Sequence, residues 1–306
     1  MVLFNPDSSG PLRYVNGFSK SIAGAESNVA IALSRLGHSV GWFSRLGDDE
    51  FGRYIKSVIM GEGVDVSRVV IDREASTGLV FKERFAHVNP NVYYYRKGSA
   101  ASRISKDDIN EEYINQTKIL HVTGITLALS QSSREAAFRA VEIAKEKNIT
   151  ISFDPNIRLK LWDKEQAKET ILRMAKLADI IFPGVDEGNI LLGTDNPKEI
   201  GRAFLDMGCS IVAVKLGKEG SYIASREKDL FVKGYVVEKP EDTVGAGDGY
   251  AAGFLSGVLQ NLDIQDCANL ANAVGAMATL VRGDMEGFPT KQQVDIFMGI
   301  KEHVDR

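Results

Sequence analysis

Cysteine is nearly absent from the 306 residues: Cys209 and Cys267 stand far apart, with no CxxC-type neighbour. That leaves no disulfide framework and no thiolate metal site, and both thiols are expected as small core residues of a reduced, cytoplasmic protein. The four histidines (His38, His87, His121, His303) form no HxxxH or HExxH, so no structural zinc is expected. Basic residues are not in excess, the balance being 37 − 41 = −4. This argues against a nucleic-acid partner and against a basic membrane-surface protein. No apolar run reaches the roughly 18 residues of a transmembrane helix. The opening MVLFNPDSSG lacks the basic flank and apolar core of a signal peptide. Two phosphate-binding motifs are also missing. There is no GxxxxGK[ST], which Gly217-Lys-Glu-Gly220 resembles only superficially, and no GxGxxG near the N-terminus. A phosphate donor would therefore not be held in the P-loop manner.

What is present is an ordinary globular composition, 44% hydrophobic and 25% charged. Short apolar runs alternate with amphipathic helical patterns. Helices are predicted over 26–36, 48–60, 132–148 and 163–178, and strands over 39–45, 119–124, 149–153, 179–182 and 210–216. This alternation implies a parallel sheet covered by helices on both faces, with ligands beyond the carboxyl ends of its strands. Two stretches depart from it. Residues 78–85 and 91–97 alternate apolar and polar side chains like half-exposed strands, with a turn at His87-Val-Asn-Pro90 and a third strand expected over 12–18. They read as a small antiparallel flap beside the main sheet.

The densest cue to chemistry is Asp242-Thr-Val-Gly-Ala-Gly-Asp248, followed by a run of small residues. Gly245 and Gly247 free the backbone for a tight turn and let a ligand approach closely. A helix starting near Ala246 would present N–H groups that lack intrahelical partners, backed by the positive end of the helix dipole. That is an anion site. Asp248 lies in the first turn, where the dipole is expected to hold it ionised and where it can take a proton from a substrate hydroxyl. An anion hole beside a general base suits phosphoryl transfer. Asp242, at the head of the string, is expected as a turn or cap residue.

This string resembles the C-terminal signature of the ribokinase-like (PfkB) carbohydrate kinases. Gly24-Ala-Glu-Ser-Asn28 and Ser44-Arg-Leu-Gly-Asp-Asp-Glu-Phe-Gly52 resemble the N-terminal signature of the same family, about 220 residues upstream. The resemblance covers essentially the whole chain. It implies an α/β fold of three layers, α/β/α, with a mostly parallel central sheet and a small β-sheet lid. It also implies a single domain over 1–306, with lid strands around 11–23 and 76–100. Within the family, Tyr93-Tyr-Tyr-Arg-Lys-Gly-Ser-Ala100, His121-Val-Thr-Gly-Ile-Thr126, Asp154-Pro-Asn-Ile-Arg158 and Arg282-Gly-Asp-Met-Glu-Gly287 are similar to kinases of 2-keto-3-deoxygluconate.

The implied reaction is ATP-dependent phosphorylation of a sugar acid, an Entner–Doudoroff-type step, with Asp248 as base and the backbone of Gly245, Ala246, Gly247 and Asp248 as anion hole. The sugar acid would meet Gly24, Asn28, Tyr94, Arg96, Arg158 and Asp284, with Arg96 or Arg158 forking its carboxylate. Asp284 is read equally as a cap after a helix ending near Arg282. Tyr93 and Tyr95 are expected to pack within the flap. ATP would meet Asn156, Arg158, Lys215, Gly217 and Gly220, so Arg158 is claimed by both ligands. Mg²⁺ would be held largely through water, with Glu187 beside it, because Gly184 stands where the family's NxxE motif has Asn. The alternatives are a fructokinase or ribokinase acting on a neutral sugar, and a catalytically weak sugar- or nucleotide-binding protein. Exposed aromatic residues on the flap imply a homodimer or higher homo-oligomer through the lid. One departure stands out. Family members begin with a buried strand, and Met1-Val-Leu-Phe4 starts after it, so sheet edges would stay unpaired unless neighbouring segments substitute.

Overall fold

A computed structural model describes residues 1–84 and 91–302. In chain order the strands are β1 (Val2–Pro6), β2 (Phe18–Ile22), β3 (Arg45–Gly47), β4 (Val70–Asp72), β5 (Leu79–Lys82), β6 (Val92–Tyr95), β7 (Ile119–Thr123), β8 (Thr150–Asp154), β9 (Ile180–Ile181), β10 (Ile211–Lys215), β11 (Gly220–Ser225) and β12 (Asp229–Lys233). The helices are α1 (Ala25–Arg35), α2 (Glu50–Gly61), α3 (Glu111–Ile114), α4 (Gly124–Leu129), α5 (Gln131–Glu146), α6 (Lys164–Ala175), α7 (Val185–Leu192), α8 (Pro197–Asp206), α9 (Ala246–Leu259), α10 (Ile264–Ala278) and α11 (Lys291–Phe297).

The main sheet has the order β12-β11-β10-β9-β8-β7. Strands β7 to β10 run parallel, and β10-β11-β12 form an antiparallel meander. The parallel strands are short apolar runs because helices bury both of their faces. One face packs Ile151, Phe153, Ile181 and Val214 against α5 and α6. The other packs Phe182 and Ala213 against Phe254, with α1 and α9 above them. Small residues let α9 and α10 approach closely. A Cβ on Gly253 would stand 2.7 Å from Ala271 Cα, and one on Gly257 2.8 Å from Cys267 Sγ. The small-residue run after Asp248 therefore has a packing role: it seats the helix that carries Asp248. Both cysteines are buried and unbridged.

The lid is a four-stranded sheet of order β2-β1-β5-β6. Strand β1 pairs antiparallel with β2 and parallel with β5, and β5 pairs antiparallel with β6. The rings of Phe4 and Phe81 stack 4.8 Å apart on one face of this sheet. Two sequence expectations are corrected here. Residues 12–14 form a 3₁₀ turn, not a strand, and the extra lid strand is Phe18–Ile22. The fixed φ of Pro11 and the glycines at 10 and 17 break the run that looked alternating. The turn expected at 87–90 lies outside the described residues. A third correction concerns 39–45, where regular pairing begins only at Arg45, upstream of which Gly41 makes a single bridge to Asp65. Among the described residues strand β3 pairs only with β4, in a separate two-stranded sheet. Val2–Pro6 lies in the lid and does not substitute in the main sheet. The outer edge of β7 therefore has no strand partner among the described residues.

Candidate active site

A cleft of ≈ 890 Å³ opens at the carboxyl ends of the main-sheet strands, beneath the lid. Helix α9 points its N-terminus into it. Gly245 caps that helix at φ 81°, a left-handed conformation that costs glycine little, and a Cβ there would collide with the Asp284 carbonyl. The Ala246 N–H makes a long bond back to Thr243 O, 3.4 Å. The Gly247 and Asp248 N–H groups are first-turn donors without intrahelical partners.

Asp248 is buried, and its carboxylate is fixed from both sides. Asn28 Nδ2 donates to Oδ2 at 2.8 Å, and Asn156 Nδ2 reaches Oδ1 at 3.5 Å. Asn156 is itself held in a left-handed conformation, φ 37°. Burial pushes the Asp248 pKa up to about 8, with Asp154 and Asp284 adding to the rise and Asn28 and Lys215 opposing it. Desolvation of this buried carboxylate works against the helix dipole that was expected to keep it ionised. The shifted value suits a proton acceptor near neutral pH.

Next to Asp248 lies a charged pair, Lys215 Nζ to Asp154 Oδ2 at 2.7 Å. Burial works against the ammonium, yet Asp154, Glu187 and Asp248 together hold its pKa above the ordinary lysine value. A Cβ added to Gly247 would sit 3.6 Å from Lys215 Nζ, so the lysine reaches the start of α9. Burial raises the Glu187 pKa, although its carboxylate accepts from the Ile157 and Gly184 N–H groups at 2.8 and 2.7 Å.

At the lid end, Arg96 is buried with its Nε unpartnered, and its guanidinium lies 4.4 Å from the Tyr94 ring centroid. Asp284 is buried in the loop after α10, where burial lifts its pKa to about 6 against the pull of Lys82. It caps no helix, since α10 ends at Ala278. Together the start of α9, the buried Asp248 carboxyl and the buried Arg96 guanidinium face one cleft.

The match to known proteins agrees. Residues 2–291 match the model of the pfkB family carbohydrate kinases. The chain belongs to that family. It is 42% identical over 306 residues to the 2-dehydro-3-deoxygluconokinase of Bacillus subtilis (strain 168), covering 99% of this chain and 94% of that protein. It is 38% identical over 299 residues to the 2-dehydro-3-deoxygluconokinase of Thermoproteus tenax, covering 96% and 90%. The crystal structure of the PfkB protein from Polaromonas sp. JS666 superposes with a TM-score of 0.89 at 38% identity, covering 96% of each chain. The protein is thus an ATP-dependent sugar kinase with a ribokinase-like fold.

In this kinase the cleft brings together Gly24, Asn28, Tyr94, Arg96, Asn156, Arg158, Glu187, Lys215, Gly217, Gly245, Gly247, Asp248 and Asp284. Gly220 is not among them. Its φ of 109° and its close approach to the β12 backbone make it a strand-start residue. Arg158 is exposed at the rim, with Nη1 on the Ile157 carbonyl at 3.2 Å. Tyr93 and Tyr95 point largely to solvent, although the Tyr95 ring packs edge-on against Phe81 at 5.7 Å. Two residues escaped sequence reasoning. Asp154 was visible only as part of Asp154-Pro-Asn-Ile-Arg158. Lys82 lies at an inward position of β5, where the alternation of residues 79–82 calls for an apolar side chain, and its ammonium meets Asp242 Oδ2 at 2.7 Å. That lysine in a core register was the available signal. Asp242 accordingly does more than cap a turn, since it ties the loop before α9 to the lid.

Proposed function

We propose that this kinase phosphorylates 2-keto-3-deoxygluconate on its terminal primary hydroxyl, giving 2-keto-3-deoxy-6-phosphogluconate, an Entner–Doudoroff-type step. Asp248 takes the hydroxyl proton, and the oxygen attacks the γ-phosphorus of ATP in line as the bond to the β–γ bridging oxygen breaks and ADP leaves. The N–H groups at the start of α9 and the Lys215 ammonium face the charge that develops on the transferred group. Asn28 holds the base, and Asp284 accepts from a sugar hydroxyl. Arg96 forks the substrate carboxylate while Tyr94 lies against its guanidinium. Asn156, Arg158 and the Lys215–Gly217 turn border the nucleotide.

Mg²⁺ bound with ATP would neutralise phosphate charge. No group of three or more potential ligands gathers among the described residues, and both Glu187 oxygens already accept from backbone N–H groups. Asp154 and Glu187 fit a metal held through its own waters.

The observation that carries the sugar-acid reading is Arg96, a buried guanidinium with no acidic partner within ion-pair distance among the described residues. A neutral sugar would leave that charge desolvated and uncompensated. A coupled ATP-consumption assay over sugar acids and neutral sugars tests it: activity on fructose equal to that on the keto-acid would overturn the choice. Exposed Tyr93 to Tyr95 on the lid support pairing of two copies through this sheet.

A further inference from the structure

Lys82 stands where the lid meets the floor of the cleft. It ends β5 on the same face as Val80, and both side chains border the cleft. The opposite face of β5 is apolar, with Phe81 stacked on Phe4. A lysine on the buried face must bring its charge to an acid or leave it desolvated. Its ammonium donates to Asp242 Oδ2 at 2.7 Å, with the lysine side chain only 8% exposed.

Asp242 passes that contact on. Its other oxygen, Oδ1, accepts from the Val244 N–H at 3.1 Å, which shapes the turn entering Gly245. Gly245 caps α9 and lies so close to the Asp284 carbonyl that a Cβ would collide with it. A chain of contacts therefore runs from the lid through Lys82, Asp242 and Val244 to the start of α9. A second tie runs the other way. Arg282 Nη2, two residues before Asp284, donates to the Pro6 carbonyl at the end of β1, at 2.9 Å. Lid strands β5 and β1 are thus each fastened to one of the two loops that meet at Gly245. Burial raises the Asp284 pKa, and the Lys82 ammonium draws it back, so the charge of Lys82 acts on both loops.

We propose that Lys82 is a positioning residue for phosphoryl transfer: through its ion pair with Asp242, the seated lid sets the start of α9 where the transferred group arrives. This role rests on the reading that α9 meets that group, and not on which sugar is the acceptor. An ion pair suits the task because its attraction grows as water is excluded. The contact holds with the lid down and weakens once the lid lifts and both charges hydrate. The turn at Val244 then loses its anchor to the lid. A misplacement of about 1 Å at such a site is enough to cost about 100-fold in rate.

The test separates position from stability with the double variant Lys82→Met/Asp242→Asn in the full chain. Asparagine still accepts from the Val244 N–H, and two neutral side chains strand no charge. The fold and the local turn are kept, and only the tie to the lid is cut. The expected result is a urea midpoint near that of the wild type, with kcat lowered about 10- to 100-fold and KM for ATP unchanged. The loss is read on whichever acceptor the wild type turns over best, keto-acid or neutral sugar. A stable double variant with wild-type or higher kcat would overturn the role of Lys82. So would a double variant no more stable than Asp242→Asn alone, because the contact would then be one of packing. Asp248→Asn, measured alongside, keeps the two readings apart: turnover that survives that change counts against the reading of α9 and its base, not against the tie to the lid.

Discussion

Asn28 Nδ2 donates to Asp248 Oδ2 at 2.8 Å, across 220 residues of chain. One hydrogen bond thus joins the Gly24–Asn28 stretch to the Asp242–Asp248 string, and it fixes the orientation of the Asp248 carboxylate, the proposed base, and lowers its pKa against the rise that burial causes. With the Asp248 pKa at about 8, kcat/KM for the sugar acid is expected to rise with pH and level off above that value, because only the ionised carboxylate accepts a proton. Asn28→Ala removes a contact that lowers this pKa, so the limb moves to higher pH. Asp248→Asn lowers kcat by about 10²–10⁴-fold while ATP still binds in calorimetry. The same shift acts on stability. A carboxyl whose folded pKa lies above its unfolded value favours the fold when protonated, and that support is lost as pH rises from about 4 through about 8. Asp248→Asn therefore raises Tm above pH 8, and the gain shrinks toward pH 4.

Arg96 separates sugar acids from neutral sugars. Arg96→Met is expected to raise KM for the keto-acid about 100-fold, the scale of a lost bidentate charge-assisted contact of about 3 kcal/mol. Arg96→Lys keeps the charge but loses the planar fork, and falls between. Neither change should raise KM for fructose. Steady-state kinetics on both substrates would show it, and a parallel loss on fructose would mean that Arg96 only supports the lid.

The Lys82–Asp242 pair links β5 to the loop that precedes α9, with side chains only 8% and 16% exposed. Asp242→Asn strands a buried ammonium and is expected to cost about 3 kcal/mol in urea unfolding. Lys82→Met combined with Asp242→Asn recovers most of that loss, since two neutral groups carry no uncompensated charge. If the double variant is as unstable as the single one, packing rather than charge pairing explains the contact.

Lid pairing has a simple readout. Light scattering at micromolar protein is expected to give at least twice the chain mass, and Tyr95→Glu to reduce it by placing a charge on an exposed ring position 66% accessible in the single chain. A wild-type mass equal to one chain would contradict the pairing.

Much of this architecture was legible beforehand where local pattern and burial agree. Residues 119–124 and 210–216 are apolar on both faces and became β7 and β10. Gly37 and Asp163 marked helix ends because backbone conformation and capping are local properties. The string ending at Asp248 announced its turn for the same reason. What remained hidden depends on distant partners. The Asp248 pKa requires knowing that Asp154, Asp284 and Lys215 converge on it. The lid strand at 18–22 looked unremarkable beside 12–18 because pairing with β1 selects it, and periodicity carries no information about a partner. Lys82 and Asp242, 160 residues apart, were each unexceptional until brought together.

The most direct test of the central claim is the ratio of kcat/KM for 2-keto-3-deoxygluconate to that for fructose, measured with ATP in a coupled assay. Differential binding of the carboxylate by a buried, otherwise unpaired Arg96 predicts a ratio of about 100 or more. A ratio near one would contradict it.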